Sequence, residues 1–212
     1  MNTNRRITTF LFDWDGTLAD SAQLGLVAFE KTFDELGVPF AHAVYEAKYS
    51  PNWYSTYEAL GLPNDLWQVA DELWLRHYGE QSAALIEGVG ETLLALHGKG
   101  YRLGVVTSGS RSRVSREVEQ SVLKDVIAVL ICNEDIVNKK PHPEGLELAI
   151  RSIDAEPSHC AYVGDAPEDI EMGRSGKVMT IGVRSAYPSS SRVLSAKPDL
   201  YLEQLTELLN HF

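Results

Sequence analysis

Phe10-Leu11-Phe12-Asp13-Trp14-Asp15-Gly16-Thr17-Leu18-Ala19-Asp20-Ser21 is the stretch that decides the fold. The β-branched and aromatic run from Ile7 to Phe12 reads as a buried strand. It breaks into two carboxylates, Asp13 and Asp15, and then Gly16-Thr17, a pair suited to a sharp turn. Two acids this close at the mouth of an apolar strand repel each other, and a divalent cation between them removes the repulsion. Open α/β sheets hold their ligands at strand ends. The stretch therefore points to a metal-assisted carboxylate site at the mouth of a parallel sheet.

After Ser21 the pattern turns helical. Leu26, Phe29, Phe33 and Leu36 recur at helical spacing, with Asp20 or Ser21 as N-cap and Gly37 as stop. Further helical pieces run to Leu85, separated by Pro39, by Ser50-Pro51-Asn52 and by Gly61-Leu62-Pro63-Asn64. The last, about Leu66 to Glu80, is expected to carry Leu66, Val69, Ala70, Leu73 and Trp74 on one side. No strand pattern interrupts them, so residues 19–85 read as a helical bundle inserted after the first strand.

Beyond the insertion strand and helix alternate. Helices are expected at Val89 to His97, Ser112 to Gln120, Pro143 to Ile153 and Glu168 to Arg174, with a closing one at Leu202 to Leu209. Strands are expected at Arg102 to Val106, Val126 to Ile131, Cys160 to Val163 and Val178 to Val183. Tyr187 to Ser191 reads as a polar loop. Continuous apolar strands alternating with helices predict a doubly wound, Rossmann-like parallel sheet. The fold class is α/β, with a core at 1–18 and 86–212 and an α-helical cap at 19–85.

Composition narrows the function. The 212-residue chain carries a net charge of −11 with no basic stripe, which argues against a nucleic-acid partner. No apolar run reaches membrane-span length, and Met1 to Arg6 leads into a short strand rather than a signal-type apolar region. Cys132 and Cys160 read as small packing residues kept reduced, and the expected location is cytoplasmic. The six histidines lack ligand-type spacing, against a zinc site.

Three more strand ends carry chemistry. Val105-Val106-Thr107-Ser108-Gly109-Ser110 offers a hydroxyl, a Gly-containing turn and a helix N-terminus, all donors for a phosphate oxygen. In Lys140-Pro141-His142-Pro143-Glu144 the prolines leave Lys140 projecting from a loop, where one ammonium can neutralise a nucleophile and a phosphate. Lys139 competes, but the proline register favours Lys140; His142 reads as a loop residue. Tyr162-Val163-Gly164-Asp165-Ala166-Pro167-Glu168-Asp169 ends in two acids four apart, a spacing that returns Asp169 to the side of Asp165 on a helix. Four carboxylates, Asp13, Asp15, Asp165 and Asp169, are thus expected to converge, and oxygen-only ligands point to Mg²⁺.

Asp13-Trp14-Asp15-Gly16-Thr17-Leu18 resembles the first motif of the haloacid dehalogenase-like (HAD) hydrolases, most of which are phosphatases. The Thr107 turn, the Lys-Pro-x-Pro segment at Lys140 and the Gly-Asp-x-x-x-Asp run at Gly164 resemble the family's other three motifs, in the same order. The helical insertion resembles the small-cap subgroup, in its phosphoglycolate phosphatase-like branch.

The resemblance implies that Asp13 is the nucleophile and that Asp15 protonates the leaving oxygen and later deprotonates water. Thr107, Ser108, Gly109 and Lys140 would bind the phosphate. Mg²⁺ would be held by Asp13, the backbone carbonyl of Asp15 and Asp165, with Asp169 acting directly or through water. The expected activity is Mg²⁺-dependent hydrolysis of a small phosphomonoester, phosphoglycolate-like or a sugar phosphate, through an aspartyl-phosphate. Alternatives are a β-phosphoglucomutase-like phosphomutase, a phosphonatase, and a non-catalytic binding protein. The Asp-Trp-Asp triplet is similar to the phosphonatase Asp-Trp-Ala start, but Asp15 weighs against that reading.

In the cap, Tyr45, Tyr49, Trp53, Tyr54, Tyr57, Trp67, Trp74 and Tyr78 form an aromatic set. Trp67, Trp74 and Tyr78, at helical spacing, are read as bundle core, while Lys48 and Arg76 are read as solvated cations. Leu18 to Ser21 and Leu85 to Gly88 are the expected hinges.

Overall fold

The computed structural model describes residues 6–79 and 81–212, so the expectation for Met1 to Arg5 and the end of the Glu80 helix lie outside the described residues. Strand β1 (Thr9–Phe12) is buried along its whole length. Helices α1 (Ala22–Glu35), α2 (His42–Lys48), α3 (Trp53–Ala59) and α4 (Trp67–Tyr78) follow. Then α5 (Val89–Gly98), β2 (Arg102–Val106), α6 (Arg111–Glu119), β3 (Ile127–Ile131) and α7 (Glu144–Ser152) build one half of the sheet. The other half is β4 (Cys160–Gly164), α8 (Pro167–Ser175), β5 (Met179–Val183), β6 (Leu200–Leu202) and the short α9 (Leu208–His211).

The six strands lie in the order β3-β2-β1-β4-β5-β6, all parallel. The chain first builds outward from β1 through β2 and β3, then crosses back to β4 on the other side, so the order reverses beside β1. Phe12 pairs with both Val105 and Val163, which brings the C-terminal ends of the three central strands level. That crevice is where a doubly wound sheet presents its ligands.

Side-chain alternation along the strands covers both faces. Phe10 and Phe12 pack with Leu103, Val163, Val89 and Leu93 of α5 and Val114 of α6. Leu11, one residue out of phase, packs on the opposite face with Val106, Tyr162, Leu146 of α7 and Met172 of α8. The four helices after β1 have a core of their own, built on Phe29, Phe33, Tyr45, Tyr57, Leu62 and Ala70. The two linkers to them run side by side: the Asp20 amide donates to the Ala84 carbonyl and the Ile86 amide to the Leu18 carbonyl, each at 2.9 Å.

Several expectations are corrected. Leu202 ends a sixth strand, with Ile181 paired to Leu200 and Val183 to Leu202. The closing helix is confined to Leu208–His211 after one 3₁₀ turn. Asp199, accepting from the Thr180 amide and hydroxyl, anchors this strand to β5. Tyr187 to Ser191 is no featureless loop: Tyr187 is buried and a 3₁₀ helix runs over Pro188–Ala196. Val69 of α4 is 44% exposed rather than inward-facing. Both cysteines are free and buried. Among the described residues, no helix is long and apolar enough to cross a membrane.

Candidate active site

Asp13 leaves β1 with its amide tied to the Val163 carbonyl at 2.9 Å. Its carboxylate accepts from Lys140 Nζ at 2.5 Å, and the same ammonium donates to Asp169 at 2.8 Å. Asp13, Lys140, Asp165 and Asp169 are all buried. Burial, which disfavours the charged form, pushes the Asp13 carboxyl up to about 7, with Lys140 opposing and Asp169 and Asp15 adding to the shift. Burial, then Asp13 and Asp169, hold Asp165 well above the usual carboxylate range. For Lys140 burial acts the other way, but Asp13 and Asp169 outweigh it and keep the ammonium charged.

Carboxylate oxygens of Asp13, Asp165 and Asp169 lie within 4.8 Å of one another. Asp169 is tied down within this group. One oxygen accepts from Lys140; the other accepts from the Asp165 and Ala166 amides at 3.1 and 3.0 Å, at the start of α8. Asp165 accepts from Ser185 at 2.5 Å and from Thr17 at 3.3 Å.

The expected convergence of four carboxylates becomes one of three. Asp15 turns its side chain away from the cluster and into a fork with Arg113, at 2.9 and 2.5 Å, and also accepts from Ser21 at 2.6 Å. Burial would raise its carboxyl, but the Arg113 guanidinium and these hydrogen bonds lower it below the ordinary value. Ser21 therefore precedes α1 without capping it through its side chain.

Thr107 is buried at the end of β2, and its hydroxyl accepts from the Gly109 amide at 3.0 Å. Ser108 and Gly109 line the same cavity as Asp13. The two neighbouring lysines diverge: Lys140 enters the carboxylate cluster, while Lys139 Nζ lies 4.5 Å from the Trp53 ring centroid. His142 is an exposed loop residue. Lys48 is exposed and Arg76 pairs with Glu35. Trp74 lines the cavity as well as packing among the helices that follow β1.

Arg113, Glu117, Ser185 and Tyr187 join the site although none lies in a motif of the sequence. Glu117 accepts from Arg113 at 3.0 Å, from Trp14 Nε1 at 2.7 Å and from the Tyr78 hydroxyl at 3.0 Å. It thereby links the turn after β1, helix α4 and the fork on Asp15. The Arg113–Glu117 pair at i,i+4 on α6 was the available signal. The Tyr187 hydroxyl lies 3.0 Å from Ser21 Oγ, and its ring stacks on Tyr49 with centroids 5.1 Å apart.

Gly16 closes the turn at φ +78°, where a Cβ would stand 2.5 Å from Tyr187 Cδ2 and 2.6 Å from Asp165 Oδ2. Gly16→Ala combines left-handed strain with displacement of Asp165, and is expected to cost about 1–3 kcal/mol along with a loss of turnover. Thermal melting and kcat check it together; unchanged values of both would contradict this account.

The sequence pattern of the haloacid dehalogenase-like hydrolases matches residues 10–183. Pyrophosphatase PpaX of Bacillus pumilus is 29% identical, over 96% of this chain and 95% of its own. Among solved structures, a predicted phosphoglycolate phosphatase from Haemophilus somnus is 20% identical and superposes with a TM-score of 0.85, over 99% of each chain. CbbY from Rhodobacter sphaeroides, in complex with phosphate, is 22% identical with a TM-score of 0.77, over 95% of this chain and 96% of that one. The last two likenesses speak to the fold, which is the parallel six-stranded sheet described above. With its pattern running from β1 through β5, the chain belongs to the haloacid dehalogenase-like hydrolases and is an enzyme of that class.

Proposed function

We propose that the protein is a Mg²⁺-dependent phosphomonoesterase that acts on a small phosphorylated metabolite through an aspartyl-phosphate on Asp13. The observation that carries this reading is the Asp13 carboxylate, held 2.5 Å from Lys140 Nζ where the strand order reverses. Family membership supports it, as do the pyrophosphatase and phosphoglycolate phosphatase names of similar proteins and the phosphate in CbbY. In this reading residues 1–18 and 86–212 form the catalytic core, and residues 19–85 a cap that shields it from water.

The residues present fit a hard cation. The donors are carboxylate oxygens, three acids face one ammonium, and burial drives both Asp13 and Asp165 toward the neutral form, as expected of a site short of positive charge. Asp13, Asp165 and the Asp15 carbonyl would hold Mg²⁺, which when bound neutralises phosphate oxygens and their developing charge. Asp169, with both oxygens engaged, orients Lys140 and the start of α8.

An oxygen of Asp13 attacks phosphorus, and the bond from phosphorus to the leaving oxygen breaks as that oxygen takes a proton from Asp15. Water then attacks the aspartyl-phosphate and gives its proton to Asp15, and phosphate leaves as the bond to Asp13 breaks. Held ionised by Arg113, Asp15 is poised as the base of the second step; donation in the first requires it to leave the fork. The Thr107 hydroxyl and the turn at Ser108 and Gly109 bind phosphate oxygens, and Lys140 balances their charge.

Phosphate release from a panel of small phosphomonoesters, with Mg²⁺ and then with EDTA, tests the reading. Release is expected with Mg²⁺ and abolished by chelation; no release from any monoester overturns it. Mg²⁺ at about 100 times its Kd should stabilise the fold by about 2.7 kcal/mol. Asp165→Asn should remove most of that gain in a melting experiment.

A further inference from the structure

Between the cap and the carboxylate cluster lies a cavity of about 270 Å³, just below the roughly 300–1,000 Å³ of sites for drug-sized ligands. One end holds Asp13, Thr107 and Asp165. The rest is walled by rings: Phe29, Tyr49, Trp53, Tyr57, Trp74 and Tyr187. Packing fixes these rings in place. Phe29 meets Tyr57 and Trp74 edge-on, each at 6.0 Å between centroids, and Tyr49 stacks on Tyr187.

The charges on these walls are one-sided. Beyond the phosphate end the acids are Asp71 and Glu134, and Arg113 is the one cation among the described lining residues. Arg113 is already matched by Asp15 and Glu117. Lys140 is held beneath by Asp13 and Asp169. Asp71 is satisfied without a ligand, accepting from Trp53 Nε1 at 2.7 Å and from the hydroxyls of Tyr54 and Tyr57 at 3.0 and 3.2 Å.

Lys139 is not among the described lining residues; it lies behind the wall, its ammonium engaged by the Trp53 and Tyr54 rings and by Asn133, so an anionic substituent entering this space would be desolvated beside carboxylates with no cation on the wall left unmatched, an arrangement buried charges do not tolerate. A neutral ring would carry no such penalty against walls of Phe29, Tyr49, Trp53, Tyr57, Trp74 and Tyr187. Trp74, Ser110 and Ser189 line the cavity, their Nε1 and Oγ atoms enclosed behind its surface without a hydrogen-bond partner among the described residues.

We infer that the leaving alcohol of the substrate carries no anionic group and presents a flat apolar ring to this cavity, as an aryl-methyl or nucleoside-type phosphomonoester does. The inference rests on the phosphomonoesterase reading and sharpens it. It sets this chain apart from an enzyme for phosphoglycolate or pyrophosphate, whose leaving groups are themselves anions. Ring-on-ring stacking holds the alcohol, and Asp71 and Glu134 repel acids.

Calorimetric binding of benzylphosphonate and 4-carboxybenzylphosphonate to the full chain with Mg²⁺ tests this, since the two ligands differ by one carboxylate and neither is hydrolysed. Benzylphosphonate is expected to bind at least tenfold more tightly. Equal affinity, tighter binding of the carboxylate, or binding of neither overturns the inference. Trp74→Ala should weaken benzylphosphonate at least tenfold and leave inorganic phosphate unchanged; equal weakening of both would assign Trp74 a merely structural part and defeat the stacking argument. Binding is read without turnover. A failure of phosphate release would therefore strike the phosphomonoesterase reading, while the ligand comparison decides the character of the cavity separately.

Discussion

Asp13→Asn is expected to lower kcat by at least about 10³-fold, the scale on which removal of a covalent nucleophile is felt, and to leave the fold intact. The amide oxygen keeps an acceptor within reach of Lys140, so the 2.5 Å contact has a neutral replacement. What disappears is one of three buried carboxylates that repel one another around a single ammonium. In EDTA the variant should therefore melt at or above the wild-type temperature. This pairing of outcomes is informative, because most substitutions of buried residues lower stability and activity together. Retention of more than a tenth of the activity would remove Asp13 from the nucleophile role. A large fall in melting temperature would mean that Asp13 is held in place mainly by the stabilising ion pair with Lys140.

The residues of this site were legible to very different degrees. Asp13, Thr107 and Asp165 follow apolar strands in the sequence, and a parallel sheet with β1 between β2 and β4 leaves their strand ends no choice but to adjoin. Lys140 was legible through its prolines. The orientation of Asp15 was not, because it is decided by Arg113, a residue that in sequence looks like any cation near the start of an amphipathic helix. Arg113 is buried because its guanidinium lies over the Tyr78 ring, 5.0 Å from the centroid, and because Glu117 accepts from Trp14, 103 positions away. No local pattern encodes contacts at that range. Tyr187 was hidden differently: it begins a serine-rich stretch without periodicity, and its burial comes from Tyr49 of the cap. Leu200–Leu202 is too short for strand alternation to register.

Arg113→Ala should be the most destabilising single change around the site. The guanidinium is 5% exposed as a side chain, its partner Glu117 is fully buried, and Asp15 is 21% exposed. Removing one member of such a group leaves buried charge uncompensated, which costs about 3–5 kcal/mol. In a domain of this size that lowers the melting temperature by roughly 6–20 °C. Arg113→Lys keeps the charge but not the planar fork that serves both oxygens of Asp15 and one of Glu117. It should therefore recover only part of the loss. If the loss arises from the network and not from the cavity alone, Arg113→Met combined with Glu117→Gln should be more stable than the sum of the single effects predicts, by at least about 1 kcal/mol. Strict additivity would reduce Arg113 to a packing residue. The same variants bear on Asp15. Without the fork its carboxyl should return toward the ordinary range, since Arg113 is the foremost influence holding it down against burial. Turnover by Arg113→Lys should then change in kcat more than in KM, because the carboxylate that exchanges protons is disturbed while the groups around the phosphate are left in place.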